Sequence, residues 1–344
     1  MDYKTQMETL DKLLVIWGLV LGVFILALIL FFFWASAAHY PQEKYAEIVR
    51  DDAVFTPTKE QPVFSVMTYN IGYLSGLTNN EATRPPRELF EENLKRVLGT
   101  LKPLNIDIMG LQEIDLPSHR SYEVHQVEAL SKGLGMAYGA IAINWDKNYL
   151  PFPYWPPSVH FRRILSSQTI LSQSPIRHHE RLVLSPVENR PFFYKAFYLD
   201  RLAQIAEIEI NGQPIIVINV HLEAFEIPTR RRQTKAVLDI LAQYETDYPV
   251  LLMGDFNSDP HLTPDAPDST IQLLLNHPKI RSVVPEKAMN EPEMKTFPSN
   301  EPTVKLDYIF YTPDSLELVN SKVLQNIGQA SDHLPVLAKF RLVN

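Results

Sequence analysis

The sequence predicts an α/β fold of four layers, with two central mixed sheets flanked by helices and one transmembrane helix before them. Three observations lead to this fold. A long uncharged apolar run lies near the amino terminus, short apolar runs bounded by turn residues recur after it, and amphipathic helical patterns lie between those runs. Such alternation favours one layered sandwich domain over a doubly wound parallel sheet.

The transmembrane helix is predicted from residues 13–38, an uncharged run that follows a short tail of residues 1–12. At about 1.5 Å per residue, a helix of this length can cross about 30 Å of hydrocarbon. Trp17 and Trp34 lie near its ends, where indole rings favour the lipid interface. A cleaved signal peptide is the alternative, because residues 35–37 fit a cleavage pattern, but the run exceeds the roughly 7 to 15 apolar residues of such peptides.

The run is therefore interpreted as a single-pass signal anchor, with the rest of the chain on the extracytoplasmic side of the membrane. Basic residues are nearly balanced across the run, so this orientation depends mainly on the shortness of the tail. Residues 39–61 are polar, contain proline and have no sustained period, which predicts a juxtamembrane linker. The folded domain is expected to span residues 62–344.

Within this domain, apolar runs of strand length alternate with helical patterns. The predicted strands are residues 63–69, 106–111, 169–171, 203–210, 215–220, 250–253, 304–311 and 334–342. The clearest helical patterns cover residues 87–101 and 229–244.

Composition excludes some kinds of site. The chain of 344 residues has no cysteine, so disulfides, thiolate zinc sites and thiol nucleophiles are excluded. Its net charge of −8 weighs modestly against a protein that binds nucleic acid mainly through the phosphate backbone, because such proteins more often carry a basic surplus.

Polar side chains recur where the apolar runs end, a place where a side chain is held firmly and still meets solvent. The segments are TYN at 68–70, QE at 112–113, NVHL at 219–222, GDFNS at 254–258, LDYIF at 306–310 and SDHLPV at 331–336. Any one of these polar residues alone is more readily explained as a turn former or a buried histidine. Together, two histidines, several carboxylates and two amides indicate a site for phosphoryl transfer.

In this order, the six segments resemble the superfamily that includes DNase I, abasic-site endonucleases, neutral sphingomyelinases and inositol polyphosphate phosphatases. The resemblance extends from about Val63 to Val343, and GDFNS and SDHLPV are its most specific parts. It implies a hydrolase of phosphoric esters that depends on Mg²⁺, with Mn²⁺ or Ca²⁺ as alternatives.

The resemblance also implies a metal site and a role for each ligand. Glu113 would bind the metal directly, which suits the preference of Mg²⁺ for hard oxygen ligands. Asn70 would lie nearby, and Asp332 would be a further ligand, either direct or through water.

The catalytic groups implied by the resemblance are two histidines, two aspartates and an asparagine. His333 would be the general base or orient the water, with Asp307 fixing its ring. Asp255 would orient or deprotonate the attacking water, and sequence alone does not decide which residue takes the proton. Asn257 would donate to the phosphate, and His221 would stabilise the transition state or help to protonate the leaving oxygen. No covalent intermediate is expected.

The predicted substrate is a phospholipid or sphingolipid, cleaved at the headgroup as by a sphingomyelinase or phospholipase C, because an anchor confines the site to the membrane surface. A weaker resemblance links the chain to the carboxyl-terminal domain of GPI-anchor lipid remodelling proteins. Residues 144–163 are rich in aromatics and proline, and form either an exposed lip that meets lipid or a cover over the core. The alternatives are an anchored endonuclease of the DNase I type, with nucleic acid as its partner, and a binding module without catalysis.

Overall fold

The structure is a computed structural model, which describes residues 3–55, 62–79, 81–261 and 270–343. The helices are α1 (Tyr3–Ser36), α2 (Arg87–Leu101), α3 (Gln126–Leu134), α4 (Phe192–Phe197), α5 (Ile227–Leu241) and α6 (Thr270–Leu275). The strands are β1 (Ala46–Arg50), β2 (Phe64–Asn70), β3 (Ile108–Asp115), β4 (Tyr138–Leu150), β5 (Arg162–Ser172), β6 (Ile176–Val183), β7 (Leu202–Ile210), β8 (Gln213–His221), β9 (Val250–Asp255), β10 (Arg281–Ser282), β11 (Asp307–Tyr311), β12 (Leu316–Val323) and β13 (Val336–Leu342).

The strands of the described residues form two mixed sheets. The first has the order β1-β4-β5-β3-β2-β13-β12, and the second has the order β10-β11-β9-β8-β7-β6. One pair in each sheet is parallel, β2 with β3 and β8 with β9, and the other pairs are antiparallel. The predicted α/β sandwich is therefore confirmed.

The two sheets pack face to face, and the main core lies between them. The sheets pack tightly where Gly110 of β3 faces Met253 of β9, since a side chain built on Gly110 would meet the Met253 Cε at 2.7 Å. Glycine at this point lets the large methionine fill the space between the layers.

Every predicted strand overlaps an observed strand, and the helix predicted over residues 87–101 has the bounds of α2. The predicted strands often end too early. In β2, β3, β8 and β9 the strand continues into the polar residues that follow the apolar run. Those polar residues are therefore held by the sheet ladder itself.

The segment expected to be a linker is only partly a linker. Residues 46–50 form β1, an edge strand that pairs antiparallel with β4 from Ala46 opposite Ala142 to Arg50 opposite Tyr138. Only alternate residues of β1 are partly buried, so its sequence is as polar as that of a linker. The prediction was wrong for these residues, and residues 56–61 lie outside the described part of the chain.

Only the middle part of the aromatic segment 144–163 is a loop. Strand β4 runs to Leu150 and β5 begins at Arg162, so the loop between them comprises residues 151–161. Tyr154 and Trp155 at its tip are strongly exposed, as in the first of the two interpretations.

One helix of the described residues is long and apolar enough to cross a membrane. It covers Met7–Ser36 within α1, and no part of its most apolar stretch is buried inside the protein.

Candidate active site

The polar strand ends of the second sheet lie side by side. His221 ends β8 opposite Asp255, which ends β9, and Asp255 in turn pairs with Asp307 at the start of the antiparallel β11. This register places three of the predicted catalytic side chains in one row at one edge of the sheet. Asn70 and Glu113 come from the neighbouring edge of the first sheet, where Asn70 of β2 pairs with Gln112 of β3.

Two backbone features aim these side chains. Glu113 lies in a bulge of β3 with φ of 52°, and the pairing with β5 skips from Leu111 to Ile114 there. A bulge turns a side chain away from its usual face of the sheet. Gly254, before Asp255, has φ of 144°, and a side chain there would meet the Val220 carbonyl oxygen at 1.9 Å. Only glycine fits this position of the GDFNS segment.

A buried polar contact joins the two sheets directly beneath the site. The Gln112 amide donates to Asn219 Oδ1 at 2.6 Å, and the Asn219 amide donates to the Leu111 carbonyl and to Gln204 Oε1. All three side chains are fully buried. These hydrogen bonds explain why the QE and NVHL segments contain the polar residues Gln112 and Asn219, whose side chains are used between the sheets.

Asp255 is the centre of the cluster. Its Oδ2 accepts from the Asn70 amide at 3.0 Å, and its Oδ1 accepts from the Asn257 backbone N–H at 2.9 Å. His221 Nε2 and His333 Nε2 lie 3.5 Å and 3.8 Å from Oδ2. Burial raises the pKa of Asp255 to about 7, although the adjacent His333 opposes the shift.

His333 is held by a carboxylate on its far side. Its Nδ1 lies 2.9 Å from Oδ2 of the fully buried Asp307, which fixes the ring so that Nε2 points towards Asp255. Burial alone would lower the pKa of His333, but Asp307, Asp255 and Asp332 together raise it well above its ordinary value. These carboxylates favour the protonated ring, and the predicted link between Asp307 and His333 is present.

His221 has the opposite protonation. Burial lowers its pKa well below the usual value, and the positive charges of Arg201 and His333 lower it further. Its Nε2 also lies 3.7 Å from Glu113 Oε1. Its surroundings thus favour the neutral imidazole.

Asn257 contacts the end of one strand and the central carboxylate. Its amide nitrogen donates to the Leu222 carbonyl at 3.0 Å and lies 3.3 Å from Asp255 Oδ2. The side chain therefore supports Asp255 and the end of β8, and its donation to a phosphate stays a prediction.

Glu113 and Asp332 are the two carboxylates that would hold the divalent cation implied by the sequence. The amide of Asn79 donates to Glu113 Oε2 at 2.9 Å and lies 3.3 Å from both Asp332 carboxylate oxygens. Burial and the charge of Asp332 raise the pKa of Glu113. Two carboxylates thus converge on one neutral amide, and carboxylate oxygens are ligands that Mg²⁺ prefers. The Asn70 amide nitrogen donates to Glu113 Oε1 at 3.2 Å, while Asn70 Oδ1 accepts from the Gly72 backbone N–H at 3.1 Å.

A second group has metal-like spacing. Ligand atoms of Asp255, Asp307 and His333 lie within 4.8 Å of one another. His333 Nδ1 lies 2.9 Å from Asp307 Oδ2, and its Nε2 lies 3.8 Å from Asp255 Oδ2. The group therefore has ligand atoms suited to a divalent ion as well as an arrangement suited to proton transfer.

Two further residues at the site, Asn79 and Arg201, were not predicted from the sequence. Asn79 lies in a turn outside any apolar run, so its sequence carries no signal of a role. Arg201 lies just before β7 and is 6% exposed. Its Nη2 donates to the Tyr198 hydroxyl and its Nε lies 3.5 Å from Glu223 Oε2, while its Nη1 has no hydrogen-bond partner among the described residues.

The cluster forms the floor of a cleft of about 700 Å³. The polar floor includes Glu113, Asp255 and Asp332, and Arg201 also lines the cleft. Its walls are mainly aromatic, and are lined by Tyr73, Trp145, Phe152, Tyr154, Tyr194, Phe197, Tyr198, Phe225 and Phe297. The cleft therefore suits a ligand with a phosphate at one end and an apolar remainder.

A model of the endonuclease/exonuclease/phosphatase family matches residues 67–333. The chain belongs to this family. Members are hydrolases that act on phosphoester bonds and generally depend on a divalent metal. The family identified from the sequence is thus confirmed.

Individual relatives of this endonuclease/exonuclease/phosphatase family member match in part. A UPF0294 protein of Vibrio cholerae is 32% identical over 136 residues, 39% of this chain and 42% of that protein. A probable CCR4-Not complex 3'-5'-exoribonuclease subunit Ccr4 of Encephalitozoon cuniculi is 26% identical over 229 residues, 60% of this chain and 44% of that protein. The matches thus span less than half the length of each relative.

Among solved structures, an endonuclease/exonuclease/phosphatase from Beutenbergia cavernae is similar with a TM-score of 0.62 and 19% identity, covering 82% of this chain and 72% of that chain. At this identity the likeness shows the fold alone. The weaker resemblance to GPI-anchor lipid remodelling proteins stays a prediction.

Proposed function

We propose that this chain is a membrane-anchored phosphodiesterase that hydrolyses the headgroup ester of a phospholipid or sphingolipid. The observation that carries the proposal is the cleft, whose aromatic walls stand over a floor of phosphoryl-transfer residues. A lipid phosphodiester has the same division between a charged and an apolar part. The apolar helix α1 supports the proposal, because an anchor would keep the cleft at the surface where such lipids are concentrated.

Glu113 and Asp332, with Asn70 beside them, would hold the divalent ion, which we propose to be Mg²⁺ with Mn²⁺ or Ca²⁺ as alternatives. The ion would supply positive charge to the phosphate oxygens and so stabilise the charge that develops there. Arg201 Nη1, which is free of hydrogen bonds within the described residues, would add a further donor to a phosphate oxygen.

The protein groups suit hydrolysis by direct attack of water. The water oxygen forms a bond to phosphorus while Asp255 takes its proton, since Asp255 is the central acceptor of the cluster. The bond between phosphorus and the lipid alcohol breaks, and the departing oxygen takes a proton from the His333 imidazolium. Asp255 then returns its proton to His333, 3.8 Å away, and the site is restored.

Cleavage of nucleic acid is the second candidate. It is favoured by the similarity to the probable exoribonuclease subunit Ccr4, and phosphodiester chemistry at the floor would be the same. The net charge of −8 and the aromatic walls give less support to a long polyanion.

The test is hydrolysis by the detergent-solubilised full chain of a panel of phospholipids, sphingomyelin, phosphoinositides, DNA and RNA, each with Mg²⁺ or with EDTA. Asp255→Asn is the matched inactive control, because it keeps the size of the side chain. Release of a lipid headgroup that needs both metal and Asp255 would support the proposal. Cleavage confined to DNA or RNA would replace it with the second candidate.

A further inference from the structure

The mouth of the cleft carries a group of exposed aromatic side chains, which we call the aromatic rim. It consists of Tyr154, Trp155, Phe192, Phe193 and Phe225, which are 66%, 77%, 74%, 52% and 72% exposed. They come from three separate segments of the chain. Large aromatic rings gathered in this way on a folded domain mark a surface that meets an apolar partner.

The aromatic rim is continuous with the walls of the cleft. Tyr154 and Phe225 line the cleft themselves, and the Tyr154 ring lies 5.9 Å from that of Phe152, another wall residue. Trp145 Nε1 donates to the Phe197 carbonyl at 2.8 Å, which ties the β4 wall to α4. A molecule at the rim would therefore have an apolar path to the catalytic floor.

The aromatic rim also adjoins the end of α1. The Phe32 ring lies 5.7 Å from Phe192 and 5.5 Å from Phe197, and Phe192 in turn lies 5.7 Å from Phe193. On the other side, the Phe31 ring lies 5.6 Å from Tyr149 at the end of β4. The last turns of α1 thus touch both β4 and α4.

Polar contacts at this junction fix the direction in which α1 leaves the domain. Asn148 uses its side chain and backbone N–H on the Trp34 and Ala37 carbonyls, both at 3.0 Å, and Lys147 Nζ donates to the Ser36 carbonyl. These side chains satisfy carbonyls that every helix end leaves open. Asp146 accepts from the backbone N–H groups of His39 and Tyr40 and from the Tyr45 hydroxyl.

The length of α1 sets the depth of the aromatic rim. From Leu13 to Phe32 the helix extends about 30 Å, which equals the thickness of the hydrocarbon layer. Phe32 would then lie at the boundary between hydrocarbon and headgroups. Phe192 and Phe193, one ring further out, would lie in the interfacial layer, which aromatic side chains prefer.

We infer that the aromatic rim sits in the headgroup layer of the bilayer that α1 crosses, so that a lipid enters the cleft sideways from that leaflet. The inference rests on the proposed anchoring by α1 and deepens the proposed lipid hydrolysis. The anchor and the rim then act as one surface, since the junction with β4 holds them in a fixed relation.

The absence of cysteine from the chain allows a direct test. Single cysteines at Trp155, Phe193, Leu21 and Glu317 would each be labelled with an environment-sensitive fluorophore in the full chain, reconstituted into phosphatidylcholine and phosphatidylglycerol vesicles. Leu21 lies in α1 and reports anchoring, and Glu317 is an exposed control on β12. The quenchers would be a lipid with its nitroxide near the headgroup, a lipid with its nitroxide deep in the acyl chain for the Leu21 probe, and aqueous iodide.

We expect the headgroup-labelled lipid to act at least about threefold more strongly on the Trp155 and Phe193 probes than on the Glu317 probe, because interfacial aromatic positions lie within its reach. Quenching of the Leu21 probe by lipid, with Trp155 and Phe193 behaving like Glu317, would overturn the inference and leave the anchor intact. If the Leu21 probe is itself reached only by iodide, the anchoring fails and the inference fails with it.

A rate measurement tests the same surface without a probe. The double variant Trp155→Ser and Phe193→Ser changes two rim residues that do not line the cleft. We expect its rate on lipid in vesicles to fall about tenfold or more, because the rim no longer holds the mouth of the cleft in the headgroup layer, although α1 keeps the chain in the membrane. Its rate on a soluble phosphodiester should match that of the unaltered chain. An unchanged rate on vesicles would overturn the inference, whereas cleavage of soluble esters alone by both proteins would contradict the proposed lipid substrate.

Discussion

Replacing Asp307 by asparagine removes a charge from the site with little change in shape. In the structure, Asp307 Oδ2 lies 2.9 Å from His333 Nδ1, and both residues are buried. A hydrogen bond between charged partners contributes about 1.5 to 3 kcal/mol. If His333 needs this contact to stay protonated and oriented in the transition state, kcat should fall about 10- to 150-fold, with little change in KM.

The assay is the hydrolysis of a soluble phosphodiester by Asp307→Asn in the presence of Mg²⁺, together with its thermal unfolding. Asp107→Asn is the matched control. Asp107 is also buried, with Oδ2 accepting from the Ser65 backbone and hydroxyl at 2.7 Å, and it lies just before β3 at the end remote from Glu113. The control should lose stability and keep its kcat. If kcat of Asp307→Asn stays within about threefold of that of the unaltered chain, catalysis does not need Asp307 to orient His333.

Three further outcomes follow from the site and from the sheet edge. Glu113→Gln should raise the Mg²⁺ concentration for half-maximal activity at least about tenfold, measured beside Glu317→Gln, and an unchanged concentration would exclude Glu113 as a ligand. Arg201→Lys keeps a charge but loses the guanidinium fork, so kcat/KM should fall about tenfold, and full activity would show that Nη1 does not meet the substrate. Burial lowers the pKa of His179 to about 4, so the folded chain holds this ring neutral. Because the unfolded chain binds this proton more readily, the free energy of unfolding is unaffected above about pH 6.5. It falls by about 3 kcal/mol in all as the pH decreases to 4. The free energy of unfolding, measured with urea between pH 7 and 4, should therefore fall less with decreasing pH in His179→Gln than in the unaltered chain. An equal fall in both proteins would contradict the lowered pKa of His179.

The fold could be predicted largely because its central strands are continuous apolar runs. Strand β9 is buried at every position, and its sequence could be recognised without knowing its neighbours. Strands β1 and β12 lie at sheet edges, where alternate residues face solvent and pairing with a distant strand decides the structure. Such pairing is not encoded in local composition, and both strands were missed.

The site divides in the same way. Asp255, Asn257 and Glu113 could be predicted because they lie within a few residues of the ends of apolar runs, in recognisable segments. Asn79 and Arg201 could not, because each is a lone polar residue that the fold brings to the cleft from a turn or the start of a strand. The supporting role of Asn257 depends on the Leu222 carbonyl of the neighbouring strand end, a contact between strands that no local pattern reveals.

The central claim is that an apolar cleft delivers a lipid phosphodiester to the catalytic floor, and substrate chain length tests it most directly. The measurement is kcat/KM of the detergent-solubilised chain for phosphodiesters with one headgroup and increasing acyl length, all below the concentration at which they form micelles. Burying one methylene contributes about 0.8 kcal/mol, so each methylene that enters the cleft should raise kcat/KM about fourfold. A steady rise until the cleft of about 700 Å³ is filled is the expected result. Values that do not change with acyl length, or that fall below those for an oligonucleotide, would contradict the claim.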